Sequence, residues 1–156
     1  MKEVRPARTA DLPAVYRLIR ELAAYENAPD AVSLTLEQFR TDFEQQEPPF
    51  QILVAEQEKL IVGMALYFYT YSTWKGRCLY LEDRIVTEAC RQQGFGKALF
   101  EQLLTIGARE GVARMAWQVL DWNTPAIRFY QRYQAWLESE WLSGKLTAEQ
   151  LQARPS

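Results

Sequence analysis

Residues 90–100 read CRQQGFGKALF: an arginine, Gly94 and Gly96 one residue apart, then a lysine and an amphipathic run. Upstream, the stretch CLYLEDRIV at 78–86 is apolar at Leu79, Leu81, Ile85 and Val86, the pattern of a strand. Downstream, Ala98, Leu99, Leu103 and Ile106 recur at helical spacing over 96–110, and Gly111 stops the helix. A strand that turns into a helix in this way aims unpaired backbone N–H groups, and the positive end of the helix, at one point outside the sheet. Glycine there permits positive φ and the close approach of an anion. Arg91 and Lys97 add charge suited to a diphosphate. The plainer alternative is a tight connection. Two other phosphate motifs fail, because Leu99 stands where GxGxxG needs its third glycine and no GK[ST] occurs.

The flanking sequence supplies the remaining elements. Val4 opens a short extended segment ended by Pro6, and Thr9 or Asp11 caps a helix that runs to about Asn27. A second helix starts at Thr35 and stops before Pro48. The period then changes: 51–56 and 60–71 read as two strands joined by a polar turn around Gln57 to Lys59. After the glycine helix, VARMAWQVL is a further strand, and DWNTPAIRFYQRYQ is a helix capped by Asn123 or Thr124, with Pro125 in its first turn. The remainder, with Trp136 and Trp141, reads as another strand and a polar tail. Helices, then a strand meander, then alternating strands and helices predict an α/β fold: a mixed, mostly antiparallel sheet packed between helices.

At 156 residues with 48% hydrophobic content, the chain suits a single domain, 1–156. The longest apolar run falls short of the roughly 20 residues of a membrane span, and no secretory leader is evident, so the cytoplasm is the expected compartment. The net charge of −2 and the lack of basic blocks disfavour nucleic acid and suit a cationic small molecule. The chain has no histidine, which excludes Ser-His-Asp and Cys-His catalysis and histidine-ligated metals; no metal site is expected. Proton transfer near neutral pH falls to carboxylates, tyrosine, cysteine, lysine or water.

The motif RQQGFG matches the Q/R-x-x-G-x-G/A signature of the GNAT acyl-CoA-dependent N-acetyltransferases, and the element order resembles that fold. RPARTADL, LIRELAAYE, YFYTYSTWKG, LYLEDRIV and WNTPAIRFYQR are similar to stretches of the spermidine/spermine and thialysine N-acetyltransferase branch, covering most of 4–135. The resemblance implies transfer of acetyl from acetyl-CoA to a primary amine by direct attack, and a homodimer. It places the coenzyme on Arg91, Gln92, Gln93, Gly94, Phe95, Gly96 and Lys97, along the main chain of Arg84, Ile85 and Val86, and on Asn123 and Tyr130. Glu82 falls at the position of the family's catalytic glutamate and Tyr130 at that of its general acid. Glu26, Tyr71, Trp74, Glu82 and Asp83 are the candidates for the amine end.

Each assignment has a structural counterpart. Glu82 and Asp83 could form a charged sheet surface, although carboxylates inside an apolar strand are costly. A regular strand would point them to opposite faces, which a bulge would change. Tyr130 shares a helical face with Ile127, as packing aromatics do. Tyr71 and Trp74 could be exposed interface aromatics, and Glu26 an ordinary helix-end residue. Cys78 and Cys90 receive no role. Three positions depart from the branch: Arg84 replaces an aromatic, Gln134 a glycine, and Pro29 and Asp30 an acidic pair. Two rival functions stand beside the small-amine enzyme, acetylation of a protein lysine or N-terminal amine, and a catalytically silent acyl-CoA-binding module.

Overall fold

The computed structural model describes residues 2–155. The chain forms two compact units, Met1–Gln118 and Val119–Ser156.

The first unit is built on five strands: β1 (Lys2–Pro6), β2 (Gln51–Gln57), β3 (Leu60–Ser72), β4 (Gly76–Val86) and β5 (Arg114–Trp117). They lie in the order β1-β2-β3-β4-β5. The first three pairings are antiparallel and the last is parallel, so the sheet is mixed and mostly antiparallel, as expected. The polar turn between β2 and β3 sets Glu58 and Lys59 both at positive φ, the backbone that matches the right-handed twist of a two-residue hairpin. A parallel neighbour cannot be reached by a hairpin, and α3 (Phe95–Glu110) supplies the crossover from β4 to β5.

Helices cover both faces. On one, α1 (Leu12–Tyr25) and α2 (Leu36–Phe43) bury Leu12, Val15, Leu18 and Phe39 against Ile52, Val54, Met64, Leu66 and Ile85. Alternation along β2 and β3, continued by Ile85 of β4, delivers those sheet residues to one side. On the other, Leu99, Phe100 and Leu103 of α3 are fully buried, and Phe100 meets Trp117 edge to face at 5.6 Å. The start of α1 is tied to the sheet by Arg5, whose guanidinium bonds Asp11 at 2.8 Å and Glu56 at 2.7 Å. Arg5 holds the Asp11 carboxyl below the usual aspartate range. The helix stops at Tyr25, slightly before the expected end, because Asn27 turns left-handed at φ 61°.

In the second unit, Asn123 caps α4 (Thr124–Gln131) by accepting from the Ala126 amide at 3.4 Å. Thr147 and Gln150 form a reciprocal capping box at α5 (Ala148–Gln152). The strand expected after Trp136 is absent among the described residues; Trp136, Trp141 and Leu142 lie exposed in irregular chain. A strand exists only through its ladder partner, which an apolar run does not by itself supply.

Candidate active site

β4 ends at Val86, and a short 3-10 turn, Glu88–Cys90, leads into the glycine turn. Gln92 and Gly94 take left-handed backbone, φ 61° and 90°. The first internal bond of α3 runs from Ala98 N–H to Gly94 C=O at 3.0 Å, so the amides of Phe95, Gly96 and Lys97 have no acceptor within the helix. Thr35 and Asn123 cap their helices with side-chain oxygens; Gly94 has none to offer α3. Gly96 faces the sheet, where an added Cβ would come within 2.6 Å of Arg84 Nη1. The Arg84 guanidinium thus lies against the first turn of α3, 5.9 Å from the Phe100 ring.

The other side chains of the turn are engaged locally. Arg91 donates from Nε to the Val86 carbonyl at 3.0 Å, lies 3.7 Å from a Glu21 oxygen and stacks on Tyr25. Lys97 pairs loosely with Glu101 on the surface. Gln93 bonds the Ala89 carbonyl through its side-chain amide, while its own carbonyl accepts from the Lys2 ammonium, which also lies over the buried Phe95 ring.

The carboxylates Glu82 and Asp83 lie upstream on β4. Leu66 of β3 pairs with Asp83 and Tyr67 with Leu81, so Glu82 is the extra residue of a bulge. The bulge overrides strict alternation: Asp83 shares the α1 face with Leu66 and Ile85, and its carboxyl feels the charges of Glu82 and of Glu26, the residue that ends α1. Burial first, then Glu82 and Glu26, push the Asp83 carboxyl up to about 6. Burial also raises Glu26. Tyr80 stands beside the pair, its phenol raised by burial and then by Glu82 and Asp83. Among the described residues, β5 pairs with β4 only over Cys78–Leu81, leaving that edge of β4 without a strand from Glu82 to Val86. Ile85 buries its side chain under α1, and Val86 packs near Gly63.

Tyr71 and Trp74 sit at the β3–β4 hairpin tip, 77% and 85% exposed. Tyr71 faces Arg77, six residues along β4 from Asp83 and thus about 20 Å away within the chain. The fold does not bring these two aromatics to the carboxylates. In the second unit, Tyr130 is buried on α4, edge to face with Phe129 at 5.3 Å, behind the Asn123 cap. No cluster of potential metal ligands occurs among the described residues. No described helix is long and apolar enough to cross a membrane. Glu21 and Lys2 carry no signal in the sequence, since each meets the site only through contacts distant in sequence; Tyr80 lies two residues from Glu82, but a tyrosine in a strand reads as packing.

The site thus joins a bulged fourth strand that loses its neighbour to a glycine-turn helix with no capping side chain. The chain belongs to the Acetyltransferase (GNAT) family, whose pattern matches residues 12–136. It is 37% identical to a thialysine N-epsilon-acetyltransferase of Mus musculus over 94% of this chain and 92% of that one. An L-ornithine N5-acetyltransferase of Arabidopsis thaliana is 31% identical over 76% of this chain and 53% of its own length. An aminoglycoside acetyltransferase from an uncultured soil metagenomic sample, solved with trehalose, shares the fold with a TM-score of 0.76 at 21% identity, covering 94% of this chain and 95% of that one. The protein is an acetyl-CoA-dependent N-acetyltransferase. Its glycine turn fits the coenzyme's diphosphate: three amides at a helix start, no capping side chain, and a cation from the sheet close by.

Proposed function

We propose that the protein transfers acetyl from acetyl-CoA to a primary amine of a small molecule, either polyamine-like or lysine-like as in thialysine. The observation that carries this reading is the bulge that sets Glu82 beside Asp83, with the charge of Glu26 also acting on Asp83. Three carboxyls whose charges act on one another suit a short aliphatic chain bearing an ammonium. The names of the relatives point the same way, since thialysine and ornithine both end in such an amine.

In this reading the amides of Arg91 to Lys97, with Gln92, Gln93, Gly94, Phe95 and Gly96 between them, hold the diphosphate. The main chain of Arg84, Ile85 and Val86 holds the pantetheine arm as an added strand would be held. Bound coenzyme supplies an activated thioester. Glu82 takes the proton from the substrate ammonium, directly or through water, so that the nitrogen lone pair is free to attack. Asp83 and Glu26 hold the cationic chain, and Asp83, at about 6, is ionised at neutral pH. Tyr130 is assigned the proton for the departing thiolate, and Asn123 and Tyr130 are assigned to the coenzyme, all three assignments by likeness to the family. Tyr71 and Trp74, at the hairpin tip, are not brought to the carboxylates within the chain, and the homodimer stays part of the proposal by likeness to the family. The reading takes 1–156 as one acetyltransferase domain working in the cytoplasm.

The test is steady-state turnover with acetyl-CoA and a panel of diamines, polyamines, ornithine and thialysine, read as appearance of free thiol. At least one amine should raise the rate well above the amine-free background. A protein that binds CoA and answers to none of them would refute the small-amine assignment.

A further inference from the structure

We propose that Glu21 is a positioning residue for the coenzyme turn, clamping it from α1; the inference rests on the acetyltransferase reading above. The Glu21 carboxylate accepts three hydrogen-bond contacts from the segment that links β4 to the glycine turn. Thr87 Oγ1 donates to it at 3.0 and 3.2 Å, and the Glu88 amide donates at 2.9 Å. Its Oε1 also lies 3.7 Å from Arg91 Nη2. These partners are 66 to 70 residues away in sequence, so the contact is a tertiary choice and not a by-product of local geometry.

The sheet fixes the near end of the segment, where the Thr87 amide donates to the Val62 carbonyl at 2.8 Å. From Glu88 onward the chain leaves the sheet, and its direction is set by Glu21. The amide of Glu88 opens the 3-10 turn, and a carboxylate on that amide is a charge-assisted bond. Arg91, held between Glu21, the Val86 carbonyl and the Tyr25 ring, is then the last anchored residue before the left-handed Gln92. The amides of Phe95, Gly96 and Lys97 follow. A loop that must present three amides to one diphosphate loses affinity when its approach is unfixed, because the ordering then has to occur on binding. The ion pair with Arg91, its side chains 35% and 28% exposed, is long and contributes little by itself; the bonds to Thr87 and Glu88 carry the clamp. Glu26 is the C-cap of the same helix, so α1 fixes the donor turn and an acceptor carboxylate together.

The experiment uses the full chain. CoA binding is measured by titration calorimetry, and KM for acetyl-CoA, KM for the amine and kcat are measured separately, for wild type, Glu21→Ala, Glu21→Gln and Thr87→Val. Glu21→Ala should raise the CoA Kd and the acetyl-CoA KM about tenfold, with kcat and the amine KM changing much less. Glu21→Gln keeps an oxygen for the Glu88 amide and Thr87 hydroxyl and should recover most of the loss; Thr87→Val should fall between. A folded Glu21→Ala with wild-type CoA affinity, or one that loses kcat and amine KM equally, overturns the inference. Should Glu21→Ala fail to fold, unchanged Kd in Thr87→Val overturns it equally. If wild type itself binds no CoA, the functional reading fails instead.

Discussion

Asp83 stands opposite Leu66 on the sheet face that α1 covers, and the bulge at Glu82 is what puts it there. Its carboxyl sits at about 6, above its unfolded value, so its contribution to stability is present at acid pH and is lost as pH rises through about 6. Asp83→Asn is neutral throughout. It should be more stable than wild type by about 1–2 kcal/mol near neutrality, less than full linkage because the site is partly open to water. Denaturant midpoints on both sides of that pH check it, and the two proteins should converge in acid. The same substitution should raise the amine KM, since an anion beside the ammonium is gone.

Gly96 and Gly94 differ in what a methyl group would meet. At Gly96 a Cβ would lie 2.6 Å from the Arg84 guanidinium, the tip of a flexible side chain. Gly96→Ala should therefore cost less than about 1 kcal/mol of stability, yet weaken CoA binding by displacing Arg84 from the first turn of α3. At Gly94 nothing lies within 4 Å, but φ is +90°. Gly94→Ala should cost about 1–2 kcal/mol through backbone strain alone. Thermal unfolding and CoA titration separate the two effects.

The glycine turn, the meander and α1 were legible because each is written in local sequence: period, caps and turn residues. The bulge was not, since register is a property of two strands, and LYLED reads alike with or without it. Asp83 was found, but its company on the α1 face was not. The motif groups Tyr71 and Trp74 with the carboxylates, whereas the hairpin carries them to its far tip. Glu21 gave no signal: a glutamate on a polar helix face is unremarkable until Thr87 and Glu88 meet it. The apolar residues of the tail predict a strand, and no partner strand claims them among the described residues.

Gln134 occupies left-handed backbone at φ 61°, a conformation that favours glycine. The Gln134→Gly variant should be more stable by about 0.5–1 kcal/mol, relief of strain exceeding the added chain entropy. A rise in Tm without change in kcat checks this; a fall would mean that the glutamine side chain contributes packing.

Tyr130 is assigned a proton transfer. Tyr130→Phe keeps the ring and its edge-to-face contact with Phe129 and removes only the hydroxyl. It should lower kcat about 100-fold with little change in Tm, the size expected for loss of one positioned acid. A variant with wild-type kcat would return Tyr130 to packing.

The acceptor assignment is tested most directly by competition. Acetyl-CoA is offered with thialysine, ornithine or spermidine on one side and a lysine-containing peptide on the other, and the acetylated products are identified by mass. The carboxylates at the bulge predict kcat/KM for the preferred small amine at least about 100-fold above the peptide, roughly 3 kcal/mol of discrimination. A peptide acetylated as efficiently as the best small amine would contradict the account.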